Sequence, residues 1–204
     1  MKIICIGRNY LQHIKELNHT IPKEPVFFFK CDTALLENNN PFYYPDYSND
    51  VQYECELVVK IDKVGKTIPQ RLAKNYYSSI ALGLDMTLRD IQEKEIKESL
   101  PWSLSKAFDY SAPISEFINI KELGKDIDNI NFHLLKNNTI VQKTNTSDMI
   151  FSVDYLISYI SKYITLKTGD LIFTGTPSGV GKIKEGDLLE GFLEEKKILH
   201  CQIK

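Results

Sequence analysis

From Val51 the chain alternates. Tyr53, Cys55, Leu57, Val59 and Ile61 fall on one side of an extended backbone, and Glu54, Glu56, Val58 and Lys60 on the other, which predicts a half-buried strand. Upstream, KIICIG predicts a short buried strand stopped by Gly7. NYLQHIKELN then has helical spacing, with Tyr10, Ile14 and Leu17 on one side and His13 and Glu16 on the other. A loop bounded by Pro22 and Pro25 precedes the apolar run VFFF. Cys31 to Asp50, rich in Asn, Pro, Tyr and Asp, reads as loop with short strand pieces that could cover a cleft. After a turn at Lys63 to Lys66, SIALGLDM predicts a more fully buried strand, and TLRDIQEKEIKES a polar helix ended by Pro101. Asp85 therefore stands at a strand end, where loops gather chemistry.

Further on, INFHLLKNNTIVQK predicts a hairpin turning at Asn137 and Asn138, because Asn tolerates the left-handed backbone of a tight turn. SVDYLISYISKYI predicts a second helix with Ser152 or Asp154 near its start, and DLIFTGTPSGVGKIKEGDLLEGFLE alternates short apolar runs with glycine turns, as strands do. There is no repeat or break in composition. The order of elements predicts a mixed α+β chain with more strand than helix, one domain across 1–204, rather than a regular βαβ array.

Composition narrows the function. A formal net charge of -2 provides no field to gather phosphates or anionic lipid, so nucleic acid and membrane surfaces are poor partners and a small molecule fits better. Cys5, Cys31, Cys55 and Cys201 are scattered, which suggests neither a zinc site nor a disulfide framework and is simplest as reduced thiols in the cytoplasm. The start MKIICIGRNY is too short an apolar run for an export signal, and no stretch has the apolar length of a membrane helix.

Glu54 and Glu56, two apart on a strand, project from one face and can meet on one hard cation; they can equally be the solvent face of that strand. Asp85 would complete an oxygen set suited to Mg²⁺ or Mn²⁺, or else cap the following helix. His13 and Glu16, at i and i+3, form either an acid/base dyad or an exposed pair. Arg89 and Lys106 are cations that could offset the carboxylates, or simply solvated side chains. The run GTPSGVGK is not a phosphate loop, since Thr176 stands where the first glycine belongs and Ile183 follows the lysine.

Six segments taken in order, GRNYLQHIKELN, YECELVVKI, GLDMTLRDIQ, LPWSLSKAFD, SAPIS and FTGTPSGVG, closely resemble the fumarylacetoacetate hydrolase family almost end to end. They lie nearest its small members that act on acylpyruvates or oxaloacetate. The resemblance implies a strand-rich mixed β-roll with short helices, a homodimer, and a lid over about residues 8–20. It implies Glu54, Glu56 and Asp85 as ligands of Mg²⁺ or Mn²⁺, His13 and Glu16 as the lid dyad, and Lys106 as the active-site lysine. Arg89, Gln92 and Thr176 fall where relatives hold the substrate's carboxylate or oxo group. The activity implied is hydrolysis of the C–C bond of acylpyruvates such as acetylpyruvate or fumarylpyruvate, through a pyruvate enolate. The same enolate admits oxaloacetate tautomerisation or decarboxylation, and the family also includes 2-hydroxyhepta-2,4-diene-1,7-dioate isomerisation; a non-catalytic oxo-acid binder is the alternative of another class. The chain departs from the family pattern at Lys30-Cys31-Asp32, where Lys-Pro followed by Ser or Thr is common, and at the loop NNNPFYYPDY.

Overall fold

A computed structural model describes all residues, Met1–Lys204. Its centre is a six-stranded sheet in the order Val26–Lys30, Ile3–Gly7, Leu171–Phe173, Cys55–Ile61, Tyr77–Leu84, Ile118–Asn119. Ile3–Gly7 pairs in parallel with Leu171–Phe173, and the other neighbours are antiparallel. A four-stranded antiparallel sheet, Thr139–Asn145, Asn131–Lys136, Leu188–Leu193 and Lys196–Gln202, packs against it. The chain is thus the strand-rich α+β roll that the resemblance implied.

The central sheet is buried on both faces. Ile4, Ile6, Leu57, Val59 and Leu82 point into the larger core, with Phe132, Leu134 and Leu199 of the second sheet and Ile157 and Ile160 of the helix Val153–Tyr163. Ile3, Cys5, Val58, Ala81 and Phe173 point the other way, against Ala112 and Ile114. Each large apolar side chain so enclosed contributes about 1.5–3 kcal/mol. A core of this size can offset a small cluster of buried charges, whose desolvation costs several kcal/mol each.

The predicted strand from Val51 needs two corrections. It is not half-buried, because Glu54, Glu56 and Val58 are buried as Leu57 and Val59 are. It also breaks at Glu54. The Glu54 carbonyl accepts from the Asp85 amide at 2.8 Å, and the Cys55 amide donates to Gln142 Oε1 at 2.9 Å. Val51–Tyr53 consequently joins a separate small sheet with Gly181–Lys182 and Thr87–Leu88. Those last two residues, predicted as helix, are strand. The helix runs Arg89–Lys97 with Leu88 as its N-cap, so Asp85 is no cap, and it ends ahead of Pro101 with Ser99 at a φ of 56°.

Other expectations hold. The hairpin turns at Asn137 and Asn138 with φ of 50° and 65°, and Ser152 caps Val153–Tyr163 by accepting from the Tyr155 amide. The first helix is only Leu11–Glu16, and His13 on it is buried along with Ile14. No helix is long and apolar enough to cross a membrane.

Candidate active site

The break at Glu54 aims two glutamates from one strand region at Asp85 from the end of the next. Carboxylate oxygens of Glu54, Glu56 and Asp85 lie within 4.8 Å of one another, and all three residues are buried. Like charges so close repel, and two of the three are answered by cations. Lys106 Nζ donates to Glu54 Oε2 and Asp85 Oδ2, both at 2.8 Å, and to Thr87 Oγ1 at 2.6 Å. Arg89 Nη2 donates to Glu54 Oε1 at 2.6 Å. Burial would pull the Lys106 ammonium down, but the charges of Asp85 and Glu54 outweigh it and hold its pKa above the ordinary value. Burial likewise opposes ionisation of Glu54, and Lys106 and Arg89 overcome it, holding that carboxylate well below its ordinary range.

Glu56 is the exception. Its one hydrogen bond comes from the Gly175 amide, 2.8 Å from Oε2, and no cation pairs with it. Burial, then the charges of Asp85 and Glu54, push its pKa well up. Asp85 Oδ1 accepts no hydrogen bond, although Lys30 Nζ is 2.9 Å away. Three buried hard oxygen donors, one carboxylate without a counter-charge and one oxygen without a donor are what a divalent ion would complete, so the residues fit Mg²⁺ or Mn²⁺.

The dyad sits over this cluster. Glu16 Oε2 is 3.1 Å from His13 Nδ1, and Glu16 Oε1 accepts from the Gly179 amide at 3.0 Å. Glu16 is thereby tied at both oxygens, and a carboxylate on Nδ1 favours the tautomer that leaves Nε2 to face the cavity. Gly179 has a φ of 97°, and a Cβ there would lie 2.0 Å from the Val141 carbonyl oxygen, so no other residue can present this amide to Glu16.

His13, Glu54, Glu56, Asp85 and Lys106 line one cavity of about 40 Å³, and Arg89, Gln92 and Thr176 join its wall. The side chains of these last three are already engaged. Arg89 Nη1 donates to Gln92 Oε1 at 2.5 Å and Nε to Gln52 Oε1 at 3.0 Å. Thr176 Oγ1 donates to the Cys55 carbonyl at 2.9 Å and accepts from Gln142 Nε2 at 2.8 Å. They brace the site as well as face it.

Several residues of this site escaped the sequence reading. Lys30 is fully enclosed and donates to Ser111 Oγ at 2.9 Å, to the Met86 carbonyl at 3.2 Å and to the Lys106 carbonyl, besides facing Asp85. Its signals were a lone lysine closing the apolar run VFFF and its place in the Lys-Pro pattern of the family. Glu95 accepts from the Leu104 amide at 3.0 Å and from Ser105 Oγ, which pins the short helix Ser103–Lys106 and so aims Lys106. Arg8, His19 and Trp102 also line the cavity.

A roll of strands enclosing paired carboxylates, an ammonium and an oriented imidazole in one cavity is the scaffold of an enzyme acting on a small polar molecule. The chain belongs to the fumarylacetoacetate hydrolase family: the fumarylacetoacetate (FAA) hydrolase C-terminal domain matches residues 2–203. It is 44% identical over 202 residues to the mitochondrial oxaloacetate tautomerase FAHD1 of Mus musculus, covering 99% of this chain and 91% of the relative. It is 46% identical over 190 residues to the mitochondrial oxaloacetate decarboxylase of Dictyostelium discoideum, covering 93% and 87%. Among solved structures, the fumarylpyruvate hydrolase of Pseudomonas aeruginosa in complex with Mn²⁺ and pyruvate superposes with a TM-score of 0.94 at 33% identity, covering all of this chain and 89% of that one. These relatives are enzymes of small oxo acids, and this chain is an enzyme of the same family.

Proposed function

We propose that the enzyme interconverts the enol and keto forms of oxaloacetate, with one Mg²⁺ or Mn²⁺ held by Glu54, Glu56 and Asp85. The observation that carries this reading is the joining, in one cavity of about 40 Å³, of the carboxylate cluster with an imidazole whose Nε2 is left free. Tautomerase is also the name carried by the mouse relative at 44% identity.

A bound ion supplies Lewis-acid polarisation of the substrate's 2-oxo group. The protein's own part is proton movement and charge. From the keto form His13 Nε2 takes a proton from C3 while the 2-oxygen gains one from solvent; in the reverse direction the enol O–H loses its proton to solvent and the imidazolium protonates C3, Glu16 steadying that imidazolium. Lys106 and Arg89 keep Glu54 ionised, and Lys30 and Lys106 pair with Asp85, so the cluster is not left strongly negative. Lys30, Lys106 and Arg89 offset the charge of the carboxylate cluster, so a bound divalent ion would leave the site positive and favourable to an anionic oxo acid.

A second reading has one observation in its favour, the fold match to a fumarylpyruvate hydrolase. There His13 would take a proton from water, not carbon, and the acyl–pyruvate bond would break. The two readings separate in one assay. Metal-stripped protein is given enol-oxaloacetate, acetylpyruvate or fumarylpyruvate, with and without Mg²⁺ or Mn²⁺, while enol absorbance and pyruvate release are followed. Metal-dependent loss of the oxaloacetate enol without pyruvate is the expected result. Pyruvate release from an acylpyruvate would make the enzyme a hydrolase, and pyruvate with CO₂ from oxaloacetate a decarboxylase.

A further inference from the structure

The loop of residues 174–180 joins the strands Leu171–Phe173 and Gly181–Lys182. Two of its amides serve the site: that of Gly175 donates to Glu56 Oε2 at 2.8 Å, and that of Gly179 to Glu16 Oε1 at 3.0 Å. One carboxylate belongs to the cluster and the other to the dyad, so the shape of this loop sets how the two halves of the site stand to each other. The loop's own backbone does not fix that shape. From Gly175 to Val180 no amide or carbonyl bonds another backbone group, and both glycines hold left-handed angles, φ of 99° and 97°, from a wide choice open to glycine.

The hold comes from Gln142. It stands on Thr139–Asn145 of the second sheet, is 1% exposed and lines no part of the cavity. Its Nε2 donates to Thr176 Oγ1 at 2.8 Å and to the Pro177 carbonyl at 2.9 Å, and its Oε1 accepts from the Cys55 amide at 2.9 Å. Both N–H groups are thus spent on the loop between the amides of Gly175 and Gly179, and the oxygen fixes the strand between Glu54 and Glu56. Thr176 Oγ1 closes the ring by donating to the Cys55 carbonyl at 2.9 Å. Burying a side-chain amide destabilises a protein unless its bonds are made, and all three made here go to segments that carry the site.

We propose that Gln142 is a positioning residue: it clamps residues 175–179 to the strand break at Cys55 and thereby fixes Glu56 of the cluster and Glu16 of the dyad relative to each other. The inference rests on the reading of the site given above and extends it to a residue outside the cavity.

The test compares wild type, Gln142→Met and Gln142→Glu well below their melting temperatures. Methionine keeps the volume and removes all three bonds; glutamate keeps an acceptor for the Cys55 amide and, when protonated, one donor. Titration calorimetry with Mn²⁺ reports on Glu56, and the nitrogen NMR shifts of the His13 ring in metal-free protein report on Glu16. Steady-state kinetics with the oxaloacetate enol report on both. Gln142→Met is expected to weaken Mn²⁺ binding and to lower kcat by about tenfold or more each, as loss of a partner that orients ligands does, with KM within about twofold. Its His13 shifts should move towards a mixture of tautomers, and Gln142→Glu should fall between Gln142→Met and wild type. A lowered Tm with Mn²⁺ affinity, ring shifts and kcat all at wild-type values overturns the proposal, as does a loss confined to the metal or to the dyad. Wild type that leaves the enol untouched would refute the tautomerase reading instead, and calorimetry and the ring shifts would still decide on Gln142.

Discussion

His13→Ala is expected to lower kcat for the oxaloacetate enol by about 10²–10⁴, the range that a positioned proton-transfer group supplies. The reason is geometric. His13 is the only imidazole in the cavity with a carboxylate on one nitrogen, 3.1 Å from Nδ1, and that carboxylate is itself fixed by the Gly179 amide. The alanine variant leaves Glu54, Glu56 and Asp85 in place, so the rise in thermal stability on adding Mg²⁺ or Mn²⁺ should persist. Steady-state kinetics and a thermal melt with and without metal read the two quantities separately. Equal loss of turnover and of metal response would make His13 part of the metal site and not the proton carrier.

Glu56→Gln should do the reverse. At a metal concentration of a hundred dissociation constants, wild type gains about 2.7 kcal/mol. For a chain of 204 residues this raises Tm by about 5–10 °C. The variant should lose that gain, and turnover with it. Without metal it should be at least as stable as wild type, because Glu56 has no counter-charge and is crowded by Asp85 and Glu54, while a glutamine carbonyl still accepts from the Gly175 amide. A metal-induced rise of undiminished size in Glu56→Gln would remove Glu56 from the ligand set.

Much of this site can be read along the chain, and the rest follows from packing that no local pattern reports. The i, i+2 spacing of Glu54 and Glu56 puts both on one face, and Asp85 closes a buried run. What alternation cannot say is whether a polar face meets water. Here it meets Asp85, Lys106 and Arg89, so the solvent-face alternative for the two glutamates fails. Lys30 and Arg8 look like ordinary surface cations in sequence, since each stands alone at a strand end. Their placement depends on distant segments: Met86 and Ser111 enclose Lys30, and Trp102 lies under the half-buried Arg8. Gln142 is likewise a plain strand residue until its amide is found bridging Cys55, Thr176 and Pro177. The helix expected from Thr87 was misplaced at its start because Thr87 and Leu88 pair with Val51 and Gln52, a tertiary contact that overrides local preference. The roll and the dyad's role came from resemblance rather than from periodicity, and the geometry of Glu16 and Gly179 supplies a physical reason for the pairing.

The central claim is that this cavity moves a proton at C3 of an oxo acid, with His13 as carrier and the carboxylate cluster as metal holder. Hydrogen–deuterium exchange at C3 of oxaloacetate in deuterium oxide, followed by NMR, measures that step without reference to any later product. Metal-loaded wild type should exchange at least about a hundredfold faster than either the metal-free protein or metal-loaded His13→Ala. Exchange in wild type no faster than with the same metal in buffer would contradict the account.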